Sequence, residues 1–323
     1  MDISSAFATG PETPQHVALA EELGYKRAWL YDSPALYPDL WATLALAAER
    51  TETIGLGTGV LIPRLRHVLT TAAAAAHIEL LAPGRLVIGI GTGFTGSRAL
   101  GQKAMRWADV AAYTEALRGL LRGETVEWEG AAIRLMHPDG FSAPLPLEVP
   151  IVIAAEGPKG IDVARRLADG MFVTILPPQG FDWTVKLAWG TVLDEGEDVR
   201  SERVQAAAGP GVAVVYHALY ERGGADAVAE LPGGADWVRA VEAIPAAERH
   251  LAVHAGHLFE LNEHDRGTVS PDLIPQLTLT GTAAEVAAKV EEIAASGVTE
   301  VAYQPIGRDI PRELRSFMAA VSG

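Results

Sequence analysis

The chain has 323 residues, 49% of them hydrophobic, with 33 Gly and 20 Pro, enough apolar material for a large core in one or two domains. Its 41 acidic and 26 basic residues give a formal charge of −15, and without a run of Lys or Arg to follow a phosphate backbone the composition argues against a nucleic-acid partner. The absence of cysteine removes disulfides, thiolate metal sites and Cys nucleophiles, and no stretch of about 18 uncharged apolar residues points to a membrane.

In chain order, hydrophobic periodicity predicts a strand over 3–8, a helix over 14–24 opened by Pro14 and closed by Gly24, and a strand over 27–32 that ends on Asp32. A helix over 39–50, a strand over 54–60, a helix over 68–81 and a strand over 86–91 follow. These apolar runs are short and continuous instead of alternating, as expected of parallel strands covered on both faces. A helix over 105–122 precedes TVEWEGAAIRL, which alternates like a small inserted hairpin. The fifth strand is PIVIAA, leading through EGPKG into a helix, and the sixth is MFVTI. A polar helical stretch is expected over 176–210, with VAVVYHA at 212–218 as the seventh strand. After an irregular region over 220–280, with a helix near 235–244, Thr282 and Glu285 form a capping box for a helix, TEVAYQP is the eighth strand, and PRELRSFMAAV closes the chain.

Eight strands alternating with helices indicate an α/β fold, a (β/α)8 TIM barrel, as a single domain over 1–323 with insertions near 124–148, 176–210 and 220–280. An open doubly wound sheet would carry a glycine fingerprint after its first strand, and SAFATGPETP has none. Two successive strands stop at Gly-Thr-Gly, at 57–59 and 91–93. Both ends would lie on the carboxyl face of the barrel, where bare backbone admits a flat or phosphorylated ligand, although glycine also serves tight strand-to-helix turns.

Four segments carry a family resemblance: ELGYKRAWLYDS, TIGLGTGVLIPRLRHVLTTAAAAAHIELLAPGRLVIGIGTG, VPIVIAAEGPKGIDVARRLADGMFV and LTGTAAEVAAKVEEIAASGVTEVAYQPIG. In this order they resemble the luciferase-like flavin and deazaflavin oxidoreductases over nearly the whole chain, and most of all the branch that uses coenzyme F420. The resemblance implies hydride transfer on F420, with FMN as the alternative cofactor, and A-A-x-G-P at 154–158 looks like the deazaflavin branch. It places Asp32 beside the cofactor and Gly59 and Val60 at a cis peptide in a bulge behind the ring. Gly91, Thr92 and Gly93 would border the ring and the tail. Ala154, Ala155, Glu156, Gly157, Pro158 and Lys159 would form the loop whose amides hold the cofactor phosphate at the start of a helix. A cytoplasmic enzyme acting on a small molecule, paired as a homodimer, is the expectation. An amino terminus, MDISSAFATG, without a basic segment followed by an apolar one agrees with that location.

Two positions depart from the F420-dependent glucose-6-phosphate dehydrogenase of this branch. Ser33 stands where that enzyme has His, and Phe94 where it has an active-site Glu. Alcohol oxidation needs a base within hydrogen-bond reach, so the depleted site suits reduction of a polarised C=C, C=N or nitro group better. Asp32, Ser33, Tyr37, His254 and His257 are the candidate catalytic residues. His250, His254 and His257 have i, i+4, i+7 spacing with His264 close behind, open to structural, substrate-pocket or metal roles, and the resemblance to metal-free enzymes implies no metal. Arg64, Arg66 and His67, just past the third strand, are anion-binding or solvated side chains on this reading. A flavin-dependent monooxygenase fed by a separate reductase, a barrel that binds the cofactor without turnover, and a metal-dependent hydrolase built on the histidine cluster are the rival readings.

Overall fold

The apolar runs bounded by Gly and Pro become the strands of a closed barrel in the computed structural model, which describes residues 1–175 and 180–323. The elements in order are β1 (Asp2–Phe7), α1 (Thr13–Glu22), β2 (Arg27–Leu30), α2 (Leu40–Ala48), β3 (Gly55–Leu61), α3 (Val68–Leu81), β4 (Leu86–Gly91), α4 (Phe94–Arg98) and α5 (Trp107–Leu121). Next come the hairpin strands β5 (Val126–Trp128) and β6 (Ala131–Ile133), then β7 (Ile151–Ala154), α6 (Pro158–Leu167), β8 (Gly170–Val173) and β9 (Thr184–Trp189). The rest are α7 (Glu202–Ala229), α8 (Gly234–Glu242), α9 (Arg249–His254), α10 (Ile274–Leu277), α11 (Ala283–Ala295), β10 (Glu300–Gln304) and α12 (Ile310–Ser322). The barrel closes in the order β1-β10-β9-β8-β7-β4-β3-β2, with β5 and β6 paired separately. The (β/α)8 expectation holds.

The chain forms two compact units, Met1–Ser97 with Lys103–Leu187 and Ser296–Ala302, and Arg98–Gln102 with Ala188–Ala295 and Tyr303–Gly323. In the first, Trp29 fills the barrel interior. A Cβ on Gly57 would lie 2.7 Å from Trp29 Cζ3, and one on Gly59 2.9 Å from Trp29 Cβ, so the small residues of β3 make room for the indole. Trp29 Nε1 donates to Glu300 Oε1 at 2.9 Å, where Ser4 Oγ donates at 2.6 Å. Arg27 and Trp183 donate to Glu300 Oε2 at 2.6 and 2.9 Å. Four donors hold one buried carboxylate at the amino ends of the strands, which is how an ionised group is kept in a core. Near that end lies an open cleft of about 610 Å³ lined by Lys26, Arg27, Arg85, Asp182 and Trp183.

The second unit packs α7 and α8 around Val204, Val212, Tyr216, Trp237 and Val241. Here two expectations fail. The seventh strand is Thr184–Trp189, inside the stretch expected to be helical, of which positions 176–179 lie outside the described residues. VAVVYHA at 212–218 is helical, part of α7. Its β-branched run reads as a strand by propensity, but Val212, Ala213, Tyr216 and His217 are buried at helical spacing. Gly209-Pro210-Gly211, apparent punctuation, lies within the helix, and Gly211 passes directly over the Trp189 indole with no room for a Cβ. Thr282 and Glu285 do form the expected capping box, with Thr282 N donating to Glu285 Oε2 at 2.7 Å and Glu285 N to Thr282 Oγ1 at 3.3 Å.

Candidate active site at the carboxyl ends of the strands

Three segments singled out in the sequence converge on Val60. The Gly59–Val60 peptide bond is cis, and the register of β3 against β4 shifts between Thr58 and Leu61, a bulge that turns Val60 towards the neighbouring strand ends. A Cβ on Gly91 would sit 2.7 Å from Val60 Cγ2 and 3.4 Å from the Ala154 Cβ. Glycine at 91 is therefore required by the approach of β3, and the ends of β3, β4 and β7 meet at small residues. Gly93 has φ +71 and faces Ile62, whose Cδ1 is 2.9 Å from where a Cβ would be. The carbonyl of Thr92 accepts from Met105 N at 3.0 Å, which ties the loop after β4 to the start of the α5 approach.

Asp32 lies just past β2 and is buried. Arg66 Nη1 donates to Oδ1 and Oδ2 at 2.7 and 2.6 Å, and Ile62 N donates to Oδ2 at 3.2 Å. Burial raises the Asp32 carboxyl above its usual value, and the guanidinium opposes this without cancelling it. Arg66 also donates to Asp39 Oδ2 at 2.7 Å, while Asp39 Oδ1 caps α2 by accepting from Ala42 N at 2.9 Å. The loop after β3 is thus clamped to the end of β2. Of the basic trio, Arg64 and His67 are exposed, as the solvated reading has it, with Arg64 Nη1 donating to Lys103 O at 2.9 Å and His67 Nδ1 capping α3 by accepting from Leu69 N at 3.2 Å, while Arg66 is held by two carboxylates of the chain itself.

Ser33 and Tyr37 belong to one turn, in which the Ser33 carbonyl accepts from Leu36 N at 2.8 Å and Tyr37 N at 2.9 Å. The Tyr31 and Tyr37 rings stand 6.5 Å apart, and burial raises both phenols above their usual value. Phe94, first residue of α4, brings no proton acceptor to the site.

After β7 the chain enters α6 with Pro158 in its first turn and Gly157 as N-cap, which supplies no side-chain cap. Nothing lies within 4 Å of a Cβ placed on Gly157, so the space before these amides is open. A Cβ on Gly160 would lie 2.7 Å from the Ala155 Cβ and from Trp107 Cε2, so glycine here seats the helix on α5. The Glu156 carboxylate turns away from the helix start. It accepts from Thr174 N, from Thr174 Oγ1 at 2.8 Å and from Ile175 N at 2.9 Å, joining the loops after β7 and β8. Lys186 on β9 donates to the carbonyls of Thr174, at 2.9 Å, and Ile175, and its burial lowers the ammonium below its usual value. Sequence reasoning missed Lys186 because its strand was read as helix.

The late histidines separate, since α9 ends at His254 and no single face carries 250, 254 and 257. A Cβ on Gly101 would lie 3.2 Å from His250 Nε2, and His264 pairs with Glu263 at 3.3 Å. His254 and His257 instead meet His217 of α7, with ring centroids 5.6 to 6.0 Å apart. Burial, and then the two neighbouring rings, hold His257 well below the usual imidazole value. His217 escaped notice because its segment was read as a strand.

A sequence profile described as "luciferase-like monooxygenase" matches residues 4–300. The 5,10-methylenetetrahydromethanopterin reductase of Methanolobus tindarius is 29% identical over 325 residues, 95% of this chain and 94% of that protein. The F420-dependent glucose-6-phosphate dehydrogenase of Beutenbergia cavernae is 33% identical over 49% of this chain and 51% of its own length. In fold, the F420-dependent tetrahydromethanopterin reductase of Methanopyrus kandleri superposes with a TM-score of 0.67 at 21% identity, covering 100% of this chain and 99% of the other. Among the described residues no helix is long and apolar enough to cross a membrane.

Proposed function

Because the chain belongs to the luciferase-like monooxygenase family, we propose that it is an F420-dependent oxidoreductase that moves a hydride between the deazaflavin and a small organic substrate, working as a reductase. F420-dependent relatives aligned over about half of the chain support the cofactor, beside reductases aligned along nearly all of it. The observation that carries the reading is the convergence of Val60, Gly91 and Ala154, a bare surface at the carboxyl pole where barrels of this type bind ligands. The residues present suit the cofactor. Gly59, Val60 and Gly91 offer a flat apolar backing, and the uncapped start of α6 with open space before Gly157 offers amides and a helix dipole to an anionic side arm. Lys159 adds a positive charge there.

When bound, F420 supplies the hydride chemistry. Asp32, with both oxygens engaged, acts as a positioning residue that fixes the loop after β3 behind the ring. Ser33 and Tyr37 carry the hydroxyls for proton delivery, and Phe94 keeps that side dry. With the neighbouring Asp32 carboxylate taken up by Arg66 and the Ile62 amide, reduction of a polarised double bond suits the site better than alcohol oxidation. A cytoplasmic homodimer completes the reading, supported by the exposed Leu46 of α2 and Leu80 of α3, 51% and 42% accessible, on outer helices.

Separate fluorescence titrations with F420 and FMN test the proposal. Tighter F420 binding, with anaerobic oxidation of reduced F420 by an activated alkene, imine or nitro compound, is expected. Tighter FMN binding with oxygen consumption would replace it by a monooxygenase, and F420 binding without turnover across that panel by a non-catalytic carrier.

A further inference from the structure

The second unit contains a buried group of three imidazoles that the hydride chemistry does not use. His217 projects from α7, His254 is the last residue of α9 and His257 follows three residues on, with accessibilities of 3, 1 and 8%. One ring nitrogen from each lies within 4.8 Å of one from each of the others. Core histidines in purely structural roles normally satisfy both nitrogens. Here His217 Nε2 meets Asp265 Oδ1 at 3.0 Å and His254 Nε2 meets Glu221 Oε1 at 2.7 Å, whereas Nδ1 of both rings is buried without a hydrogen-bond partner.

We propose that His217, His254 and His257 form a binding site for a divalent transition metal of the zinc class. A carboxylate on the far nitrogen of a ligand imidazole fixes the ring, selects the tautomer with a free lone pair and strengthens the donor. Asp265 and Glu221 are placed to do this for two of the three rings. Both carboxylates are themselves held: Trp237 Nε1 donates to Asp265 Oδ1 at 2.8 Å, the Asp265 amide donates to Asn262 Oδ1 at 2.9 Å, and Arg98 Nε stands 3.5 Å from Glu221 Oε2. Glu221 follows His217 by one helical turn on α7, so the ligand ring and the second ring's carboxylate share a face of one rigid element. Among the described residues, His217 Nε2 and Trp237 Nε1 both reach Asp265 Oδ1, so the carboxylate bridges the ligand ring to the core indole.

Three imidazoles and no thiolate suit zinc, with a fourth position left for water or another ligand. Bonds of about 2.0–2.1 Å in a tetrahedral set put ligand nitrogens roughly 3.4 Å apart. The rings would therefore draw together by small rotations on binding. This runs against the metal-free character implied by the family resemblance, and it is independent of the cofactor assignment.

The test uses the full chain without an affinity tag, stripped with chelator, reloaded with zinc and passed through gel filtration before elemental analysis. Cobalt(II) replaces zinc in a parallel optical titration. One zinc per chain, the intense visible bands of four-coordinate cobalt, and a rise in melting temperature with zinc are expected. His217→Gln and His254→Gln should abolish retention, Asp265→Asn should weaken it by about 10- to 100-fold, and His250→Gln should leave it unchanged. F420 titration and circular dichroism on the same preparations report folding of each variant and keep this result separate from the cofactor reading. Zinc no higher than in the buffer blank, or equal retention by a folded His217→Gln/His254→Gln double variant, would overturn the proposal. Should the glutamine variants fail to fold, the wild-type stoichiometry and cobalt spectrum decide it alone.

Discussion

Replacing Arg66 with methionine leaves the Asp32 carboxylate, 1% accessible, without its guanidinium, which is itself only 13% accessible. Breaking a buried ion pair by removing one partner costs about 3–5 kcal/mol, a large share of the roughly 5–15 kcal/mol that holds a domain folded. Arg66→Met should therefore lose about 3–5 kcal/mol in urea unfolding at neutral pH. The double variant Asp32→Asn/Arg66→Met removes both charges and should recover much of that loss, a coupling of at least about 2 kcal/mol in a double-mutant cycle. The pH dependence has a definite sign. The folded Asp32 carboxyl is already raised above 3.8, so ionising it works against the folded state. Its contribution is fully present below the unfolded value and is lost as pH rises through the folded one. Without Arg66 that folded value climbs further, so the deficit of Arg66→Met relative to wild type should shrink on acidification. A deficit that is constant with pH, or single-variant losses that simply add, would refute the description of Asp32 as a clamped positioning residue.

Three further outcomes follow from the same reasoning. Gly57→Ala drives a methyl to within 2.7 Å of Trp29 Cζ3, and the indole cannot retreat without releasing Glu300, so a loss of about 3 kcal/mol is expected by thermal or urea unfolding. Glu197 is held down to about 2 from 4.5, chiefly by its Arg203 hydrogen bonds; its stabilisation is present above 4.5 and lost as pH falls towards 2, so Glu197→Gln should remove that segment of the acid-unfolding curve. Leu46→Glu with Leu80→Glu should convert a dimer to a monomer in light scattering without a change in circular dichroism.

The parts legible in the sequence are those where local pattern and packing agree. The 68–81 helix and the 86–91 strand match α3 and β4 residue for residue, because an alanine-rich run of 14 residues and a short apolar run of Leu, Val and Ile bounded by Gly-Thr-Gly are each long or short enough for one assignment. Glycines 57, 59 and 91 were recognisable as special, but only coordinates show that 57 and 59 yield to Trp29 while 91 yields to Val60. The seventh strand was hidden because TVKLAW mixes Thr and Lys into a short run, while the valines of α7 imitate a strand. That one exchange concealed Lys186 and His217 together. The ion pair of Asp32 with Arg66 links residues 34 apart, and nothing in local spacing announces it.

Hydrogen–deuterium exchange with and without F420 tests most directly whether the cofactor sits at the carboxyl pole. Protection is predicted in three stretches, 58–63, 90–94 and 155–161, with none around Lys26, Arg27, Asp182 and Trp183 at the opposite end of the barrel. Protection at the opposite end, or in none of the three stretches while F420 is bound, would contradict it.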